Sequence, residues 1–316
     1  MACFAVFAQH PLIHSNHPNN ILHHAGDTLP KEEEHLKNIL LIQHIEIPQT
    51  STPYDVIYHT GYALHYNEQH EQADWVAYEL NLDETVKLFE RTNKFLADPK
   101  VSTGSASNID YKGCGYDRGH LAPAADMSWS AQVVKESFYY SNMSPQVPAF
   151  NRGIWKRVEE QVRNWAIEYQ SVYIVTGPVL SADLASIGPD KVSVPHYYYK
   201  VILDGHDPEA KGIAFIIPNL GSTLPLQYYA VTIDSVQKLT NIDFFPLIPD
   251  VQEKQIETTL CVACWNWDHT TSTDISKTKK INTTTAQQKE ERIFYTGPRG
   301  GKYYFSKSGK KVYVKK

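Results

Sequence analysis

His120 closes the run Gly115-Tyr116-Asp117-Arg118-Gly119-His120, and Asn151 opens a long amphipathic stretch in which Glu159 lies eight residues further on. A histidine titrates near neutrality and can take a proton there. An arginine two residues before it can neutralise an anion. An amide oxygen and a carboxylate are hard donors, and a small divalent cation such as Mg²⁺ needs few of them because it keeps several waters. These are the parts that phosphodiester hydrolysis requires: a base for the attacking water, charge relief on the phosphate, and help for the leaving oxygen. An asparagine ligand adds no negative charge beside an already anionic phosphate. Eight residues along a helix of 3.6 residues per turn bring Glu159 to about 80° from Asn151, so both can look toward one side. Each residue also has a plainer reading. A single histidine is more often structural than catalytic, and an asparagine at a helix start is more often a cap.

The elements that must carry these residues can be read from periodicity. From about Ala149 to Tyr169, Phe150, Ile154, Trp155, Val158, Val162, Trp165, Ala166 and Tyr169 recur at three- and four-residue steps, predicting a helix packed on a sheet. A hairpin is expected from Asp55–His59 and Tyr62–Tyr66 around Gly61, and further strands at Trp75–Leu80, Val172–Thr176, Tyr197–Leu203 and Ile213–Ile217. A second helix is expected over 84–96, with Val86, Phe89, Asn93 and Leu96 on one face, and a short one over Asp234–Leu239. Residues 99–116 read as loop. Runs of strands with a few inserted helices predict an α+β protein with a central, mostly antiparallel sheet.

The 316 residues leave room for one large domain with appendages, and 42% hydrophobic content supports a packed core. Charge is divided unevenly. Residues 295–316 hold Arg299, Lys302, Lys307, Lys310, Lys311, Lys315 and Lys316 and no acid, so the net −5 separates into −12 on residues 1–294 and a basic tail. Four domains or segments are expected: an extension at 1–50, rich in His, Asn and Pro; a main domain at 51–268; a polar linker at 269–291; and a small basic module at 292–316, read as two short aromatic strands around a Ser-Gly-Lys turn. Four cysteines do not make a disulfide framework. Cys261 and Cys264 form a lone CxxC without a second pair for zinc, so buried or half-buried thiols are expected. No segment is long enough to span a bilayer, and the apolar opening Met1–Ala8 lacks the basic n-region and the full-length h-region of a signal peptide. No membrane partner is expected, and the compartment stays open: an intracellular or virion-associated place is compatible with the sequence, and secretion is open but unsupported.

The run from Gly115 to Met127 resembles the signature of the DNA/RNA non-specific endonucleases, ββα-metal enzymes related to secreted bacterial nucleases and to mitochondrial endonuclease G. The resemblance extends through Glu136-Ser137-Phe138, Ser141-Asn142-Met143-Ser144-Pro145-Gln146, Phe150-Asn151-Arg152-Gly153-Ile154-Trp155 with Glu159, Trp75–Tyr78, Thr176-Gly177-Pro178 and Asp243–Pro246, covering about residues 54–268. It implies a ββα-metal fold in which the histidine comes from a strand and the asparagine from the helix. It also implies roles: His120 as general base; Asn151 as direct Mg²⁺ ligand, with Mn²⁺ or another divalent cation as substitute; and Glu159 reaching the metal through water. Arg118 and Asn142 would contact phosphate or support the site, and Arg91 is the match for an upstream arginine. DNA and RNA are the implied substrates. Relatives are often homodimers, but no self-complementary surface is legible here. Cys114 stands where relatives often carry serine or another small residue. The tail resembles a short basic adaptor module of large DNA viruses. Its Arg299, Lys302, Lys310 and Lys311, interleaved with aromatics, suit binding to nucleic acid or an acidic partner. The rival reading is a catalytically inactive nucleic-acid-binding or virion/host-interaction protein that works through the tail.

Overall fold

The computed structural model describes residues 39–49, 55–206, 210–268 and, in the tail, 295–296, 302–305 and 311–313. The chain divides into two compact units, Met1–Trp265 and Asn266–Lys316.

In the larger unit, the β-branched and aromatic runs form strands. The first three are β1 (Val56–Tyr58), β2 (Ala63–Asn67) and β3 (Gln72–Asn81). After a short helix, α1 (Asn108–Tyr111), come β4 (Asp117–His120), α2 (Ala131–Glu136) and β5 (Met143–Gln146). The long helix α3 (Lys156–Tyr169) leads into β6 (Ser171–Pro178), the small strands β7 (Ser186–Ile187) and β8 (Val192–Ser193), then β9 (Tyr197–Asp204), β10 (Lys211–Pro218) and β11 (Ala230–Val231). Two helices follow, α4 (Ile233–Thr240) and α5 (Asp250–Thr258). Seven strands make one antiparallel sheet in the order β1-β2-β3-β6-β9-β10-β11, and β4 pairs with β5 apart from it. The expected α+β architecture and the hairpin, strands and short helix named above are all present.

Every residue of β6 is buried, which fits a central strand covered on both faces. Alternation along β6 and β9 sorts the two sides. Tyr173, Val175, Tyr199, Val201 and Leu203 join Ile233, Val236 and Ile256 of α4 and α5 in one core. On the other side, Tyr198 stacks on Phe150 and packs at a tilt against Trp155, and Lys200 sits over Trp155, just ahead of α3. The helix then buries Val158, Val162, Trp165 and Ala166. Two tryptophans and these aliphatic groups, at roughly 1.5–3 kcal/mol per buried side chain, fix α3 to the sheet.

The structure differs from expectation at five places. Within 99–116, read as loop, Asn108–Tyr111 form the short helix α1, capped by Ser107. No helix forms over 84–96. A single 3-10 turn, Leu82–Thr85, ends at Val86, and the chain continues irregularly. Its polar backbone is satisfied at a distance: the Leu88 and Phe89 N–H groups both donate to the Ser128 carbonyl, at 3.0 and 2.8 Å, and Leu96 exchanges bonds with Phe138 and Tyr140. The expected apolar face has nothing to cover it, since Val86, Phe89 and Leu96 are exposed. The main domain also begins earlier than residue 51, because Ile39 and Ile45 are buried in the sheet core. Cys261 and Cys264 are joined as a disulfide rather than free thiols. The 3-10 turn Val262–Cys264 brings their Cα atoms to 5.3 Å, within bridging range. In the smaller unit, three short strands rather than two pair antiparallel: β12 (Tyr295–Thr296), β13 (Lys302–Phe305) and β14 (Lys311–Tyr313). Tyr303 of β13 faces Tyr295 on one side and Tyr313 on the other in register. The His-rich segment, the linker, Arg299, Lys310 and the Ser-Gly-Lys turn lie outside the described residues. Among the described residues, no helix is long and apolar enough to cross a membrane.

Candidate active site

β4 carries Asp117 to His120 and pairs antiparallel with β5, placing Gly119 opposite Ser144 and His120 opposite Met143. Gly119 is required by packing: a Cβ there would lie 2.1 Å from Gln146 Cδ. The period of two sends Arg118 and His120 to the same face of β4, and both line one cleft of about 650 Å³. Beyond β5 the chain enters a π-helical turn, Phe150–Trp155, before α3 begins. Gly153 leaves helical geometry inside that turn (φ −110°, ψ −107°), and such bulges recur where a side chain must be re-aimed. Asn151 sits on this turn and Glu159 in the first turns of α3, and both line the cleft with His120. Two strands and a helix thus converge on one site.

Asn151 is oriented by Asp117. Its Nδ2 donates to Asp117 Oδ2 at 2.9 Å, which leaves Oδ1 as the ligand atom the amide offers. Asp117 is held in turn by Arg152, whose Nε and Nη2 donate to the two carboxylate oxygens at 2.8 and 2.6 Å. Burial raises the Asp117 pKa, but these hydrogen bonds outweigh it and leave the carboxyl below its usual range.

His120 is half-buried, with Phe138 edge-on to its ring at 4.8 Å. Its Nε2 is buried without a hydrogen-bond partner. Burial, and then the Arg91 charge, pull its pKa down to about 3, so the imidazole is neutral and able to accept a proton at neutral pH. Arg91 lines the cleft with its guanidinium 5.5 Å from the Phe138 ring centroid. Arg118 donates to Asn108 Oδ1 and lies over Phe95 at 5.0 Å and Tyr111 at 5.8 Å. These contacts hold its planar head beside the strand.

Asn142 takes a different place from the one expected for a phosphate contact. It is fully buried. Its Oδ1 accepts from the Ala122 N–H at 2.9 Å, and its Nδ2 donates to the Ala122 and Ser137 carbonyls at 2.9 and 2.8 Å. Its hydrogen-bonding capacity is spent on Ala122, two residues past His120, and on Ser137, which fits support of the site, the other expectation for Asn142. Lys302 and Lys311 lie on β13 and β14 of the smaller unit.

Several residues of the site receive no role from the sequence. Arg163, Arg152, Lys156, Lys87 and Phe89 all line the cleft. Arg163 donates to Asp126 at 2.6 Å, and Tyr78 donates to the other oxygen of Asp126 at 2.7 Å. The four-residue step from Glu159 to Arg163 is the one local signal placing Arg163 on the same side of α3 as Glu159, and nothing in the spacing announces Asp126 as its partner. Glu159 is pushed up to about 7 by burial, against the pull of Lys200 and Arg163. The cleft lining holds six cationic side chains, Lys87, Arg91, Arg118, Arg152, Lys156 and Arg163, and a single acid, Glu159. An acidic body therefore presents a basic cleft, suited to a polyanion.

Residues 43–251 match the DNA/RNA non-specific endonuclease family, and residues 290–316 match the PBCV-specific basic adaptor domain. The sequence is 33% identical over 224 residues to the mitochondrial nuclease EXOG of Danio rerio, covering 65% of this chain and 63% of that protein. It is 34% identical over 203 residues to mitochondrial endonuclease G of Bos taurus, covering 60% and 68%. With nuclease C1 of Cunninghamella echinulata var. echinulata it shares 34% identity over 219 residues, covering 64% and 86%. A solved structure of the EndoG/EndoGI complex, described as showing the mechanism of EndoG inhibition, superimposes with a TM-score of 0.61 at 30% identity, covering 68% of this chain and 94% of that one. The chain thus spans less than two thirds of the zebrafish protein's length. The matched family region extends over more than half of the sequence and contains every residue of the cleft: the chain belongs to the DNA/RNA non-specific endonuclease family.

Proposed function

We propose that the protein is a divalent-metal-dependent endonuclease that hydrolyses phosphodiester bonds in DNA and RNA with little sequence preference. One observation carries this reading. The strand-borne His120 and the helix-borne Asn151 and Glu159 line a single cationic cleft. His120, neutral at pH 7, takes a proton from the attacking water as its oxygen bonds to phosphorus. Arg118 and Arg91 offset charge on the phosphate oxygens, and the leaving oxygen departs as the P–O bond breaks. The donor set fits Mg²⁺ or Mn²⁺: an amide oxygen fixed by Asp117 and one carboxylate, both hard and few in number. Asn151 would hold the cation directly and Glu159 through water. When bound, the cation supplies charge stabilisation at the phosphate and the leaving oxygen. Contacts confined to phosphate carry no sequence information, which accounts for weak preference. The smaller unit is read as a tether to nucleic acid or an acidic partner through Arg299, Lys302, Lys310 and Lys311, on the strength of its basic-adaptor match. Digestion of plasmid DNA and of RNA with Mg²⁺, stopped by a chelator, tests the enzyme. Deleting residues 292–316 tests the tether, which would weaken DNA binding at low salt and flatten its salt dependence.

A further inference from the structure

Thr85, Lys87, Phe89 and Arg91 line the cleft, whereas Val86, Leu88 and Glu90 do not. Alternate residues thus face the cleft without forming the helix the sequence suggests, along an irregular chain that bends at Phe89, where two successive N–H groups turn toward one carbonyl. The segment is held in place by the paired bonds from Leu88 and Phe89 to the Ser128 carbonyl and, lower down, by Arg91 over Phe138. Ser128 is itself buried and anchored through its hydroxyl to the Ala125 carbonyl at 2.9 Å. Phe89 is therefore fixed at the lip of the cleft with 42% of its surface left in water. No core requirement explains an aromatic ring there, since the segment's other apolar side chains, Val86 and Leu88, are more exposed still.

The ring stands between two cations, two residues from each. The two cations are four residues apart, at most about 14 Å between Cα atoms, and their long side chains can converge on the two phosphates that flank one base. Lys87 donates to Glu90 at 2.7 Å, but both side chains are largely exposed. Such a pair contributes little, so a phosphate can take the ammonium over. An exposed aromatic face flanked by phosphate-binding cations is the arrangement that stacks an unpaired base. A base inside a duplex has both faces covered by its neighbours and cannot use it.

We propose that Lys87, Phe89 and Arg91 form a base-stacking subsite for single-stranded or locally unpaired nucleic acid beside the scissile phosphate. Phe89 stacks a base, and Lys87 and Arg91 hold the phosphates on either side. The subsite rests on the nuclease reading and adds to it a substrate class.

The test uses full-length protein. A single-stranded oligonucleotide carrying 2-aminopurine is titrated with His120→Ala protein, with and without Phe89→Ala. Cleavage of single-stranded and hairpin-duplex oligonucleotides is compared in the wild-type, Phe89→Ala and Phe89→Trp proteins. Stacking predicts quenched fluorescence that Phe89→Ala removes, and about tenfold weaker single-strand binding. It also predicts a single-strand to duplex cleavage ratio that falls about tenfold in Phe89→Ala and recovers in Phe89→Trp. An unchanged ratio, or quenching that survives Phe89→Ala, overturns the subsite while leaving the nuclease intact. A protein that neither binds nor cuts any of these substrates overturns both.

Discussion

Asp117 and Asn151 lie 34 residues apart, yet one carboxylate oxygen of Asp117 accepts the Asn151 amide N–H at 2.9 Å. That bond fixes which end of the amide faces the cleft. If Asn151 Oδ1 is the cation's direct ligand, Asp117 sets its orientation without touching the ion. Replacing such supporting partners commonly costs about 10- to 100-fold in metal affinity. Asp117→Ala is expected to raise the Mg²⁺ concentration for half-maximal cleavage by that order, with much of the rate returning at saturating Mg²⁺. A Mg²⁺ titration that superimposes on wild type removes Asp117 from the site.

Burial and Arg91 together hold His120 at about 3 in the free protein. A histidine with a depressed pKa stays neutral as pH falls through 6.5, so at saturating Mg²⁺ the rate should not lose its base in that range. Removing the Arg91 charge relieves the repulsion and lets the His120 pKa rise toward its ordinary value. Arg91→Gln should then move the acid limb of kcat/KM to higher pH, besides lowering kcat/KM through the lost phosphate contact. An acid limb that stays in place, or shifts downward, contradicts the coupling.

Glu159 behaves in the opposite sense. Burial raises it to about 7, so below neutrality protons compete with a cation for its carboxylate. The Mg²⁺ requirement is expected to climb steadily as pH drops below 7. In Glu159→Gln that pH dependence should vanish and the requirement should be high throughout. Parallel Mg²⁺ titrations at several pH values decide it. A wild-type requirement that does not change between pH 8 and about 6, where a group near pKa 7 must protonate, counts against the assignment.

Asn142 is fully buried and makes three hydrogen bonds around Ala122 and Ser137. Truncating it strands three backbone groups, each costing about 1–3 kcal/mol when left unsatisfied. Asn142→Ala should therefore lose roughly 2–4 kcal/mol in chemical denaturation, a range reduced for partial relaxation. In the fraction that stays folded, kcat should fall more than KM rises if His120 is the base and Arg91 and Arg118 bind phosphate, because His120 is displaced while the arginines remain. A larger effect on KM than on kcat would mean that Asn142 meets substrate after all.

What could be read from the sequence followed from local constraints. The amphipathic stretch over 149–169 gave away α3 because its buried face repeats with the helix. The hairpin and central strands were legible from alternation and β-branched runs. The step from Arg118 to His120 worked because a strand puts alternate residues on one face, and Gly119 is glycine because Gln146 lies against it. The rest depends on contacts between distant segments. Residues 84–96 carry a helix-like pattern, but the Ser128 carbonyl and the neighbouring Phe138–Tyr140 segment claim their backbone. The Asp117–Asn151 bond, the stacking of Lys200 on Trp155 and the burial of Ile39 and Ile45 join segments whose meeting no local spacing announces. A CxxC spacing is compatible with thiols, zinc or a cystine, and only the turn at Val262–Cys264 separates them.

The assignment of His120 as the base that activates water is tested most directly by single-turnover cleavage of plasmid DNA at pH 7 with saturating Mg²⁺. Wild type is compared with His120→Ala under identical conditions. General-base catalysis contributes about 10²- to 10⁴-fold, so the variant should cleave slower by that factor while binding DNA with similar affinity. Equal rates for the two proteins, with wild type active and metal-dependent, would contradict the assignment.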